Sequence, residues 1–521
     1  MVTQIFTLVL AVCFFALMIG VGIYCRKKAT SVDGFVLGGR SVGPWLTAFA
    51  FGTSYFSAVI FVGYAGQFGW NFGLASTWIG LGNAFIGSLM AWNILGRRTR
   101  VMTQHLDSKT MPDFFEKRFG SSKLKMVASI IVFIFLIPYT ASLYNGLSSL
   151  FGIAFSIPYW ACILIMAVLT GVYVVFGGYM ATAINDFVQG IIMLVGIVVV
   201  VAAVLMQNGG FMESVSLLAE KSGWQYTSFF GPDPMSLVTV VLLTSLGTWG
   251  LPQMIGKFYS ISNEGAIKKG TVISTVFAII VAGGCYFLGG FGRLFVTQEE
   301  VAANGFDFIV PHMLENLSPY VIGIVIVLVL SASMSTLSSL VLTSASTITL
   351  DMFVPLCGKK GMSEKKKILV LRVLIVFFIA VSAGIAILKD TVWKDFVFIA
   401  QMMGISWGAL AGSFLAPFLY GLYWKKVTRP AVWASFGFGV CIMITQLVLS
   451  LGGFIPKTGF VHFVFQNSLY TGVIAMLCGL VIVPIVSLCT QKYKPSNVEE
   501  IFDCYNTEIK VRAASSLEDE K

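Results

Sequence analysis

Charge is scarce in this chain. Only 11% of its 521 residues are Asp, Glu, Lys or Arg, whereas 57% are hydrophobic. A water-soluble domain carries about a quarter charged residues, so this balance excludes an ordinary soluble fold. Histidine is rarer still. The three, His105, His312 and His462, fall in expected loops, which argues against a proton relay built on buried imidazoles. The nine cysteines are scattered without a CxxC or other metal-binding spacing. No glycine-rich phosphate loop and no enzymatic motif occurs, so any uphill work must draw on an ion gradient. No enzyme activity and no cofactor is expected.

What is abundant is the long apolar run. Counting stretches of about 17–25 residues as spans yields thirteen expected transmembrane helices and an all-α polytopic membrane protein embedded in the lipid bilayer. The second (Trp45–Gly66), sixth (Ala183–Leu205), seventh (Leu237–Gly256) and ninth (Val321–Leu350) matter most below. The first, Thr3–Tyr24, lacks a small-residue cleavage pattern and is expected to be retained. If the N-terminus lies outside, cytoplasmic segments hold 29 of the 34 Lys and Arg, leaving Lys221, Arg293, Lys389, Lys394 and Lys457 outside. That asymmetry places the N-terminus out and the C-terminus in the cytosol of a cell-membrane protein. The net charge of +10 is then a topology signal and not a nucleic-acid footprint. Residues 1–490 form one transmembrane domain, followed by a short cytoplasmic tail, 491–521.

Between Tyr320 and Asp351 there is no charge, yet ten of the seventeen residues from Ser331 to Thr347 carry a hydroxyl. At helical spacing Ala332, Ser335, Thr336, Ser339 and Thr343 share one face. A stripe of neutral oxygens inside a membrane suits a hard cation; it equally suits close helix packing with hydrogen bonds between helices.

Two spans are interrupted by small polar residues: the second at Gly52-Thr53-Ser54-Tyr55-Phe56-Ser57, and the seventh at Thr244, Ser245, Gly247, Thr248, Gly250 and Pro252. Five spans separate them, and an odd-numbered repeat enters the membrane in the opposite sense. Inverted repeats, about 45–205 and 237–420, are therefore expected, with discontinuous helices that expose carbonyls near the midplane. Asp186 is the one acid within the assigned spans, at a depth where it can meet Ser335 to Ser339. A carboxylate there costs about 2.5–3.5 kcal/mol on insertion scales and calls for a partner; a headgroup-level acid bonded to a neighbouring helix is the plainer alternative.

The segments DGFVLGGRSVG (Asp33–Gly43), TSYFSAVIFVG (Thr53–Gly63), FGGYMATAINDFVQGIIML (Phe176–Leu194), Gly250-Leu251-Pro252 and Met334-Ser335-Thr336 resemble the sodium:solute symporter family. GALAGSFLAPFLYGLYWKKVTR (Gly408–Arg429) is similar to its pantothenate and proline permease branch. The resemblance implies a five-plus-five inverted-repeat core with alternating access and sodium as the coupling ion. It implies a main sodium site made of the carbonyls of Thr53, Phe56 and Ala332 and the hydroxyls of Ser335 and Thr336. A second sodium site, found in some members, would use Asp186, Ser338 and Ser339 with Ser335, and two sodium ions per solute is the expectation drawn from it. Solute candidates are Tyr55, Ser57, Tyr139, Thr244, Thr248, Trp249 and Gln401. Tyr55 and Thr244 stand where the proline-permease pattern has an acid and a tryptophan, so proline does not follow from the branch. The expected activity is sodium-coupled import of a small organic solute of pantothenate, amino-acid or other carboxylate type. A symporter-like sensor acting through a separate partner, or a passive channel, are the alternatives.

Overall fold

The computed structural model describes residues 2–155, 157–357, 362–391 and 399–506. Lys394 and the part of the expected tail from 507 to 521 lie outside the described residues. Among these residues all regular elements are helical, apart from one isolated bridge between Val42 and Ile261. That follows from the solvent, since lipid offers backbone amides no partner and a helix satisfies them within its own segment.

Ten helices are long and apolar enough to cross a membrane, and the pair Pro234–Gly250 and Pro252–Ser260, bent by 49°, makes an eleventh. Two of the ten, Val59–His105 and Tyr159–Met206, run 47 and 48 residues, whereas about 20 suffice for a bilayer. Tyr159–Met206 contains two of the expected spans, and Val59–His105 the end of the second and the whole of the next; in each a glycine in left-handed backbone geometry marks the junction, Gly178 at φ 56 and Gly73 at φ 61. At Gly178 a side chain is excluded twice over, because a Cβ would also sit 2.9 Å from the Phe35 carbonyl oxygen.

The outer faces are what lipid demands: Val168, Val195, Val198, Val272 and Val373 are exposed. The hydroxyl-rich helix Pro319–Ile348 and the segment Gln401–Tyr423 are instead largely enclosed by their neighbours. The helix beginning at Pro319 continues beyond the expected Leu350 as a π-helical turn, Thr349–Phe353, which carries Asp351 into a buried position. There Lys125 Nζ lies 3.8 Å from Asp351, 3.0 Å from Asp113 and 2.9 Å from Glu116, and Thr110 donates to Asp351 at 2.6 Å. One ammonium thus gathers three carboxylates from two further helix ends. Burial opposes charge on Glu116, but the Ser122 hydroxyl and the Lys125 ammonium outweigh it and hold its carboxyl below the ordinary range.

Where the first broken span crosses the helix Glu264–Gly289, backbone meets backbone. A Cβ on Gly69 would come within 2.0 Å of the Gly289 carbonyl, and one on Gly289 within 2.0 Å of the Ala65 carbonyl. Gly69→Ala is therefore expected to destabilise the fold by about 1–3 kcal/mol, the usual range for overpacking. Thermal unfolding in detergent checks this, with Gly384→Ala as control because nothing lies within 4 Å of a Cβ there.

Candidate functional site

The two interrupted spans are broken as expected, over shorter stretches than the polar residues suggest. The first is helical from Pro44 to Tyr55, leaves the helix at Phe56 (φ −97, ψ 98), and resumes as a π-helical turn at Val59–Tyr64. Thr53 and Ser54 thus form its last helical turn, where carbonyls have no amide one turn ahead to bond. The second is helical from Pro234 to Leu246, passes through a 3₁₀ turn at Gly247–Gly250, becomes extended at Leu251 (φ −87, ψ 120), and restarts at Pro252, whose missing N–H suits a first helical position.

The hydroxyl-rich helix faces the first break. Ser335 Oγ and Thr336 Oγ1 each lie 3.1 Å from the Thr53 carbonyl oxygen and 3.2 Å from that of Ala332. Four of the five expected sodium ligands therefore converge on one buried point. Phe56 caps the helix beside them, its N–H still on the Gly52 carbonyl while its own backbone turns extended, and Phe56, Ser57 and Ala332 line a small void of about 10 Å³. All the donors are neutral oxygens, the ligand type that hard cations prefer.

Beside this cluster buried aromatic rings and polar side chains come together. The Tyr55 ring stacks on Phe56 with centroids 4.4 Å apart, and Trp407 stands 6.0 Å from both Tyr55 and Tyr139. The Tyr55 hydroxyl donates to the Thr244 carbonyl and so joins the two broken spans directly. The Tyr139 hydroxyl is flanked by the Ser57 hydroxyl and the Trp407 indole N–H, yet all three are buried without a well-formed hydrogen bond. Such groups are costly to leave unsatisfied, and a polar solute would supply what they lack. Ser406 donates to the Phe135 carbonyl and fixes the tryptophan-bearing helix against the tyrosine-bearing one.

Other solute candidates are engaged elsewhere. Trp249 donates its indole N–H to Ile86 at 3.1 Å, Thr248 bonds the Ser245 carbonyl at 2.8 Å, and Thr244 uses its hydroxyl on Val240 at 2.8 Å. Gln401 accepts from Ser468 through its backbone carbonyl at 3.3 Å. Trp407 escaped sequence reasoning because one aromatic residue within an apolar run carries no mark of its own.

On the side of the cluster toward Lys125 lies Asp186, fully buried. Its partner is Lys257, which the span boundary at Gly256 had left in a loop. The ammonium is 3.6 Å from Asp186 Oδ2, donates to Ser339 Oγ at 2.8 Å and sits 5.3 Å from the Tyr179 ring centroid. Ser338 meanwhile turns its hydroxyl back to the Ser335 carbonyl at 2.9 Å. Of the oxygens expected at a second sodium site, then, Ser339 accepts from an ammonium, Asp186 faces that ammonium at 3.6 Å with neither carboxylate oxygen hydrogen-bonded, and Ser338 is bonded to its own helix.

Neutral oxygens clustered between two broken helices inside a membrane, next to buried polar groups without well-formed hydrogen bonds, fit the class of cation-coupled secondary transporters. The profile of the sodium:solute symporter family matches residues 35–437. The sodium/proline symporter 2 of Staphylococcus saprophyticus is 28% identical over 449 residues, covering 85% of this chain and 86% of that protein. The sodium/proline symporter of Staphylococcus aureus is 28% identical over 494 residues, 93% of each chain. In fold, the chain is similar to a Na⁺-coupled sialic acid symporter solved in a substrate-bound outward-open state, with TM-score 0.74 at 17% identity over 93% of this chain and 97% of the other. The chain belongs to the sodium:solute symporter family. It is a multi-pass membrane protein that couples solute import to sodium and is not an enzyme.

Removing one partner of a buried ion pair costs about 3–5 kcal/mol. In sodium-free buffer, Lys257→Met is accordingly expected to lower thermal stability by about that amount, and adding Asp186→Asn to restore most of it. A double-mutant cycle in detergent measures the coupling.

Proposed function

We propose that this protein imports a small organic solute of amino-acid or pantothenate-like carboxylate type, with sodium held by the carbonyls of Thr53, Phe56 and Ala332 and the hydroxyls of Ser335 and Thr336. The observation that carries the reading is the pair of hydroxyls that each reach both the Thr53 and the Ala332 carbonyl. One helix thereby senses the geometry of the break in the other.

The solute sits among Tyr55, Ser57, Tyr139 and Trp407, with Thr244 at the edge of the group. None of these side chains is charged. A solute carboxylate placed there has the bound sodium as its counter-charge, which makes each binding event favour the other in a low-dielectric site. The sodium/proline symporter relatives support an amino-acid-sized solute, while the absence of an acid at Tyr55 separates this chain from the proline-permease pattern and widens the choice to other carboxylates. The N-terminus lies outside the cell membrane and the C-terminus in the cytosol, on the strength of the Lys and Arg distribution. The Lys125 cluster and Lys257 then face the cytosolic half, and transport runs from the solute site past Ser339 to that side.

Uptake of labelled proline, pantothenate and other small carboxylates into proteoliposomes, with and without a sodium gradient, tests the function. Ser335→Ala or Thr336→Ala should raise the sodium concentration for half-maximal uptake roughly 5- to 30-fold, the equivalent of about 1–2 kcal/mol for one lost ligand. Unchanged sodium dependence in both variants would remove them from the ion site.

Tyr139→Phe should instead weaken apparent solute affinity several-fold while leaving the sodium curve in place. So should Tyr55→Ala, since neither side chain is a cation ligand. If Tyr55→Ala moves only the sodium curve, the solute does not sit among these residues.

A further inference from the structure

We infer that Lys257 is a tethered cation that occupies the second cation position of this transporter, so that one sodium ion, not two, moves with each solute. The inference rests on the sodium-coupled reading above and concerns only its stoichiometry. Three observations converge on it. Asp186 is the only carboxylate at that position, and a single carboxylate neutralises a single cation. The Lys257 ammonium already faces it at 3.6 Å and donates to the Ser339 hydroxyl oxygen at 2.8 Å. Of the remaining oxygens, Ser338 donates to the Ser335 carbonyl at 2.9 Å, along its own helix, and Ser335 belongs to the main cluster, where it donates to the Thr53 carbonyl at 3.1 Å. A sodium ion added beside the ammonium would meet a like charge a few ångströms off, in surroundings that screen it poorly.

The lysine is also wired to the main cluster. Ser339 Oγ, which accepts from Lys257, lies 2.7 Å from Ser54 Oγ, and Ser54 follows Thr53, whose carbonyl is one of the converging oxygens. Lys257 belongs to the second half of one broken span, Ser54 to the first half of the other, and Ser339 to the hydroxyl-rich helix between them. The ammonium thus ties all three moving elements together with the charge that a second ion would otherwise bring. It does so at the inner end of a narrow cleft, about 50 Å³, lined by Thr110, Tyr179, Lys257 and Ser339.

The test is the sodium-to-solute coupling ratio, measured by reversal-potential transport in proteoliposomes with the membrane potential clamped at zero. Native protein is expected to reverse when the solute gradient equals the sodium gradient, a ratio of one. Lys257→Met, which keeps the length and removes the charge, frees Asp186 and should move the reversal point to the square of the sodium gradient, a ratio of two. Lys257→Met with Asp186→Asn should return it to one. A native ratio of two overturns the inference, and so does a ratio of one in a well-inserted Lys257→Met variant. If that variant fails to insert, the native ratio alone decides. Absence of any sodium-driven uptake by the native protein would instead overturn the symport reading on which the inference stands.

Discussion

A helix broken inside a membrane releases backbone carbonyls with no water to receive them. The centre of this protein is organised around that one constraint. The break at Phe56 frees the carbonyl of Thr53, and the surrounding residues answer it with two hydroxyls from a helix that otherwise has no reason to be polar. The two hydroxyls and the two carbonyls they reach are all neutral oxygens, the ligand type on which the proposed sodium site rests. In the proposed reading structural necessity and function coincide, since an oxygen that must have a partner will take either a proton or an ion.

Formal charge in the interior is met in two ways: Arg118 is buried against the carbonyls of Gly421 and Trp424 and the rings of Phe119 and Phe502, and other charges meet opposite ones. The Asp186–Lys257 pair and the three carboxylates around Lys125 both bring several chain segments to one point. Neither arrangement is an efficient source of stability, because desolvating ions offsets much of their attraction. What they contribute is definition: an ammonium can be satisfied in very few places within such a core, so the helices that supply its partners have few alternative registers.

The parts legible in the sequence were those whose signal is local. A stripe of hydroxyls at helical spacing, a glycine- and serine-rich gap in an apolar span, and one acid near the end of an apolar span each break a pattern that lipid enforces, and each pointed to a residue that the structure buries. The long-range partners were not legible. Lys257 follows Gly256, where hydropathy falls away, so it read as a boundary charge; only the bend of its half-helix turns it inward beneath Ser339. Asp351 was missed for the same reason, because the π-helical turn beyond Ile348 carries it inside. Trp249 and Trp407 look alike in sequence, and which one stands beside Tyr55 and Tyr139 is decided by the rotation of two helices, a quantity that no single-chain pattern encodes.

The crossing of Gly69 and Gly289 bears on how this chain can change over time. In most cores an enlarged side chain can be offset by a smaller one opposite, and packing drifts by paired exchange. Here both partners are already the smallest residue there is, and the atoms they meet are backbone. No compensating change is open to either position. While neighbouring leucines and valines can trade volume freely, this crossing is a point about which the rest of the sequence must vary.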